Sequence, residues 1–283
     1  MPEFATPEPI AVTLDVTAGH VMIRASDRAD TAVEVRPADA SRDVDVQAAE
    51  NTQVEYANGQ LSVKSPRNRF RTLFGRTPSI EVTIDLPSDS RVDAKGWADY
   101  QAQGRLGESV FETAVGSIRL DQTGRLKLRT AAGNVSVGRS NGPIDVSTSS
   151  GKVWIGEIDG EAVVKSANGE ITVGDVTGDV RLTTANGDIT VYRALAAVNA
   201  KTANGSVRIG EVVRGSVLLE TGFGDVELGV REGTAAWLDV SSDHGSVRSE
   251  LEASDDPGKS DDTVEVRGRT AYGDIVIRRP LNA

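Results

Sequence analysis

Apolar and polar residues alternate through most of this chain with a period of two, and the alternation itself recurs. In residues 166–191, SANGEITVGDVTGDVRLTTANGDITV, Ile171 and Val173 flank Thr172, and Ile189 and Val191 flank Thr190. Such alternation turns one face of a β-strand inward. A glycine precedes each apolar pair, at Gly116, Gly133, Gly151, Gly169, Gly187, Gly205, Gly224, Gly245 and Gly273, with spacings of 17, 18, 18, 18, 18, 19, 21 and 28. The residue two places after each glycine is β-branched and apolar in all nine cases, and the residue four places after is apolar in eight of nine. Polar or mixed residues stand between them: Arg119, Ser136, Trp154, Thr172, Thr190, Arg208, Glu227, Arg248 and Val276.

A second strand ends just before each glycine. Seven and five places ahead of the next glycine stand Leu126 and Leu128, Ile144 and Val146, Ala162 and Val164, Val180 and Leu182, Val198 and Ala200, Val217 and Leu219, and Leu238 and Val240. A further glycine often precedes this strand, as at Gly124, Gly142, Gly160, Gly178 and Gly215. Each unit of about 18 residues therefore reads strand, turn, strand, turn.

One such unit cannot bury its own face, but stacked units can. The pattern predicts an all-β, single-chain parallel β-solenoid, or β-helix, right-handed by the general rule for parallel crossovers. Thr184, Thr202 and Thr221 should stack on one another, as should Asn168, Asn186 and Asn204, whose amides can form a ladder. Residues 1–90 are also β-rich, with Val12, Leu14 and Val16 alternating and Ile80, Val82 and Ile84 likewise, but their spacing is irregular. They read as a flanking or capping β layer, and residues 91–283 as the regular solenoid. Stack ends expose strand edges and need caps; Arg278, Arg279 and Pro280 offer such an edge-blocker. Ile189→Asp should be severely destabilising, because it buries a charge.

Candidate chemistry is sparse. A calcium-binding nonapeptide roll would place an Asp at every turn. Here the residue after the main glycine is Ser117, Asn134, Lys152, Glu170, Asp188, Ser206, Asp225, Ser246 or Asp274, so the turn reads as structural and no metal or other cofactor is expected. His20 and His244 both sit in turn slots, and Glu227 with Arg208 reads as a cross-coil ion pair. No catalytic residues emerge, and a small-molecule substrate is not evident. The chain carries no cysteine and a formal net charge of −11, which argues against nucleic acid as a partner. The segment from Glu252, EASDDPGKSDD, reads as a solvated loop that accounts for the longest spacing.

One segment departs from this background. PRNRFRTLFGRTP, residues 66–78, gathers Arg67, Arg69, Arg71 and Arg76 around Phe70, Leu73 and Phe74. In a helical turn Phe70, Leu73 and Phe74 would share one face. That makes it either a plug for the solenoid or a docking element for a partner protein or an anionic membrane surface. Trp154, in an outward slot, is a second candidate contact. The opening MPEFATPEPI, with Glu3, Glu8 and three prolines, does not read as a signal peptide, and no run is long and apolar enough for a membrane span; the expectation is a cytoplasmic protein.

The recurring TANGDITV and GDVRLTT units, with SIEVTIDLPSDSRV ahead of them, resemble the bacterial β-strand-repeat family labelled "putative adhesin", also described as the toast-rack domain. The resemblance is clearest over residues 79–277. It implies a parallel β-helix without family catalytic residues, and many members are membrane-tethered or exported, some with links to envelope stress sensing. The leading functional expectation is a non-enzymatic scaffold or protein-interaction module. A cell-surface adhesin or envelope sensor comes second and a carbohydrate-active enzyme third.

Overall fold

Inward-facing β-branched residues and glycine corners make most of the described residues strand. The computed structural model describes residues 2–66, 77–251 and 262–280, in two compact units, 1–141 and 142–283. The fold is a parallel β-solenoid.

The first unit holds β1 (Glu3–Ala5), β2 (Ala11–Ser26), β3 (Asp30–Pro37), α1 (Asp43–Glu50), β4 (Gln53–Ala57), β5 (Gln60–Lys64), β6 (Ile80–Pro87), β7 (Arg91–Arg105), β8 (Ser109–Val115), β9 (Ile118–Thr123), β10 (Leu126–Ala132) and β11 (Val135–Ser140). Its stack does not follow chain order. β2 pairs in parallel with β5 and β6 on one edge and with β7 on the other, so the first strand pair of the stack is β5 and β6. β7 then pairs with β8 and β9, and these with β10 and β11. Three antiparallel strands close the first rung: β4 on β5, β3 on β6, and β1 on β3. The helix α1 lies within residues 1–90, which were expected to be a β-rich flanking layer and for which no helix was foreseen. Its Asp45 is fully buried, accepts the Ser79 amide at 2.9 Å and pairs with Arg42 at 3.0 Å, tying α1 to the start of β6.

The second unit holds β12 (Ile144–Ser150), β13 (Val153–Ile158), β14 (Ala162–Asn168), β15 (Ile171–Val176), β16 (Val180–Asn186), β17 (Ile189–Ala194), β18 (Val198–Asn204), β19 (Val207–Val212), β20 (Gly215–Phe223), β21 (Val226–Val230), β22 (Thr234–His244), β23 (Val247–Ser249), β24 (Asp262–Tyr272) and β25 (Ile275–Arg278). Successive strand pairs stack in register, Ile171 on Ile189 on Val207 and Val180 on Val198 on Val217. These columns are buried and form the core.

The last two rungs are exchanged relative to chain order. β24 and β25 pair with β20 and β21, and β22 and β23 pair on the far edge of β24 and β25. The long spacing from Gly245 to Gly273 is thus a return over one rung. It also corrects the expectation for the C-terminal residues: β25 is paired on both edges, so Arg278 and Arg279 block no edge. Arg279 instead donates to the carbonyls of Val230, Arg231 and Thr234 at 3.3, 2.5 and 3.2 Å. Among the described residues, no strand pairs with the outer edge of β22 or β23. Leu238 and Val240, inward by sequence, are only half-buried there.

The repeated glycine answers to this stacking. Gly187 and Gly205 have φ of 141° and 145°, where side chains are disfavoured, and a Cβ on either would run into the carbonyl of the glycine one coil earlier. The buried threonines use the same carbonyls: Thr184, Thr202 and Thr221 donate to Gly169, Gly187 and Gly205 at 3.3, 3.1 and 2.8 Å. Outside the turn, Asn186 donates to Asn168 and Asn204 to Asn186, at 2.8 and 2.9 Å. Both stacks stand where the repeat put them.

Candidate functional site

The acidic turn residues point at the next coil's backbone. Asp99 accepts the Ser117 amide at 2.6 Å, Asp188 the Ser206 amide at 2.8 Å, and Asp225 the Asp274 amide at 2.8 Å. Asp274 accepts the amide and the hydroxyl of Ser246 at 2.7 and 3.0 Å, and these bonds hold its carboxyl below the usual carboxylate range. Lys152 pairs with Glu170 at 3.1 Å. Carboxylates committed in this way cap coils, which is a structural role. Arg208 meets Glu227 at 3.3 Å, as the outward slots predicted.

Arg67, Arg69, Phe70, Arg71, Leu73, Phe74 and Arg76 lie outside the described residues, as does nearly all of the loop from Glu252. The chain on either side of residues 67–76 is fixed. Ser65 donates its amide to the Asp15 carbonyl at 2.9 Å, and its hydroxyl accepts the Thr17 amide at 2.7 Å. On the far side, Ser79 is held by Asp45 and by the Ala38 amide at 3.1 Å.

Trp154 is 46 % exposed on β13, in the outward slot expected of it. Sequence reasoning missed other exposed aromatic groups, Trp97 on β7 among them at 57 % exposed. Tyr192 is 61 % exposed on β17. Phe223 stacks on Tyr272 with ring centroids 5.0 Å apart, and Tyr272 stacks on His244 at 4.6 Å. These rings continue the asparagine column, since Asn204 pairs with Phe223, Phe223 with Tyr272 and Tyr272 with His244. Each stands just before a repeat glycine, but the column appears only once β24 is placed between β20 and β22. Trp237, on the last rung, is 77 % exposed.

A shallow cleft of about 540 Å³ runs beside the asparagine and aromatic column, floored by Ala203, Gly222 and Ala271. Of its charged lining residues, Lys201 pairs with Glu220 at 2.7 Å and Arg269 reaches Asp239 outside the cleft at 2.9 Å, and Asp243 completes the lining. Tyr100 is buried in the first unit, edge-on to Phe111, and burial pushes its phenol pKa up. Among the described residues, no helix is long and apolar enough to cross a membrane.

Residues 11–279 match the sequence model of the family described as Toastrack DUF4097. The chain belongs to the Toastrack family. Among solved structures it is similar to a "putative adhesin" from Bacteroides fragilis, with 13% identity over 98% of this chain and 95% of that one and a TM-score of 0.39. A "putative adhesin" from Parabacteroides distasonis is similar at 11% identity, over 97% and 95% of the two chains, with a TM-score of 0.40. A protein from the same species described as "putative lipid binding protein" aligns at 10% identity over 99% and 94%, with a TM-score of 0.30. No curated protein matches the sequence.

Proposed function

We propose that this Toastrack chain is a non-enzymatic interaction scaffold, docking a partner protein through residues 67–76. One observation supports it most: the chain leaves the first rungs at Ser65 and re-enters at Ser79, and both points are pinned by hydrogen bonds, Ser65 to the Asp15 and Thr17 backbone and Ser79 to the buried Asp45 carboxylate and the Ala38 amide. A strongly basic, aromatic segment in an acidic chain is thereby held on a fixed base. The turn carboxylates, by contrast, are occupied by backbone amides, which leaves little for acid–base chemistry.

The test is an affinity capture from native lysate with wild type beside the Phe70→Asp/Phe74→Asp variant, both checked by circular dichroism. A protein recovered only by wild type, with both samples folded, supports docking. A destabilised variant with no specific partner would make the segment a plug. Binding to anionic vesicles in place of a protein would move the partner to a membrane surface. A second reading, a cell-surface adhesin, draws on the exposed Trp154 and Tyr192; finding the native protein on the outer cell surface would favour it.

A further inference from the structure

The outward face formed by β13, β15, β17, β19 and β21 breaks its own rule at one place. Five residues after each main glycine this face carries Gly156, Gly174, Tyr192, Gly210 and Gly229, which lie in one column across the rungs. The glycines have a packing reason. A Cβ on Gly174 would run into the Gly156 carbonyl, and one on Gly229 into the Gly210 carbonyl. Tyr192 alone in this run carries a side chain, and it is 61 % exposed. It gains no core burial there, and both its column neighbours are bare backbone. A residue that departs from a local structural rule without a structural return marks function.

Trp154 is the other exposed ring on this face. It heads the column Trp154, Thr172, Thr190, Arg208, so it stands two rungs and two residues from Tyr192. Strand geometry puts the two Cα atoms about 12 Å apart. Thr172, Gly174 and Thr190 lie on the sheet between them. We infer that Trp154 and Tyr192 are the two ring platforms of a binding strip for a neutral oligosaccharide.

Three features of the face favour that ligand. Sugar rings present an apolar C–H surface to the electron-rich face of an aromatic ring, while their hydroxyls suit threonine hydroxyls at the sheet surface. Several charged groups nearby are matched across rungs, Arg193 with Glu211 at 3.9 Å and both Arg208 and Arg278 with Glu227 at 3.3 and 3.7 Å, and exposed Asp175 beside Gly174 adds a negative charge that disfavours an anion. That balance suits a neutral ligand better than an anionic one. The strands here are paired on both edges, as β15 is by β13 and β17. No backbone ladder is therefore offered to an extended peptide.

This inference deepens the scaffold reading by naming a ligand for the Trp154 face, and it does not depend on residues 67–76. It is tested by native electrophoresis of the full chain through gels cast with mannan, laminarin or xyloglucan, with alginate as the polyanionic control. Wild type should be retarded by at least one neutral polysaccharide and not by alginate alone. Trp154→Thr and Tyr192→Gly install the residues found in neighbouring coils, so both should fold. Each should weaken retardation about three- to tenfold, and the double variant should abolish it, while Trp237→Ala leaves it unchanged. Retardation in no neutral gel, in alginate only, or undiminished in the double variant would overturn the proposal. So would a lysate protein captured through these two rings by a chain that no neutral gel retards. The Phe70→Asp/Phe74→Asp variant, run alongside, should keep its retardation whether or not the protein-docking proposal survives.

Discussion

The first rungs of unit 1 and the last rung of unit 2 solve the same problem differently. β5 and β6 are covered by antiparallel β4, β3 and β1, and α1 is tied in through buried Asp45. β22 and β23 have no strand on their outer edge among the described residues, and Leu238 and Val240 are half-exposed. A parallel stack has no intrinsic end, so the end must come from elements that break the pattern. Where the pattern is broken by antiparallel strands, the rung below is buried to the level of the interior: Leu61 and Val63 are fully covered. Where the chain merely returns over its own rung, the outermost coil stays half-wet.

Four expectations break or sharpen this comparison. Ile189→Asp puts a carboxylate into a fully buried column of the regular coils, and the chain should lose its cooperative thermal transition. A melting temperature near wild type would contradict the inward assignment. Leu219→Ala, also fully buried, should cost about 2–5 kcal/mol in denaturant unfolding. Asp45→Ala leaves the Ser79 amide without its acceptor inside the cap and should cost about 2–4 kcal/mol; a value near zero would mean that α1 does not hold the first rung. Leu238→Ala, on the half-exposed last rung, should cost about 1 kcal/mol. If it costs as much as Leu219→Ala, the last rung is as well covered as the interior.

The smallest effect is a pH dependence. The Asp274 carboxyl is held below its ordinary value of 3.8 by the Ser246 amide and hydroxyl. A depressed acid stabilises the fold above its ordinary pKa, and that contribution is lost as pH falls through the lower folded value. The Ser246 amide resonance should therefore shift on acidification below 3.8, with the fold otherwise intact. Asp274→Asn should remove the titration. An amide that does not respond would separate Asp274 from the hold on the last rung.

The regular coils were legible because each column repeats its chemistry: glycine at the corner, threonine beneath it, β-branched residues inward. Elements that occur once were not. Asp43-Val44-Asp45-Val46 alternates like a strand, and only the burial of Asp45 against Ser79 makes it the start of α1. The exchanged rungs left a single trace, the 28-residue spacing to Gly273, which a loop explains equally well from sequence. The Phe223–Tyr272–His244 stack was hidden by that exchange. Trp154 was visible as a large ring in a polar slot. Tyr192 was not, because its anomaly lies in what stands above and below it, Gly174 and Gly210, rather than beside it in the chain.

The central claim, that the covered and uncovered rungs differ as the strand pairing says, is tested most directly by native-state amide hydrogen exchange. The account predicts slow exchange in β16, β18 and also in β5 and β6, and the fastest strand exchange in β22 and β23. Protection of β22 and β23 equal to that of β16 and β18, or a β5–β6 rung that exchanges as fast as they do, would contradict it.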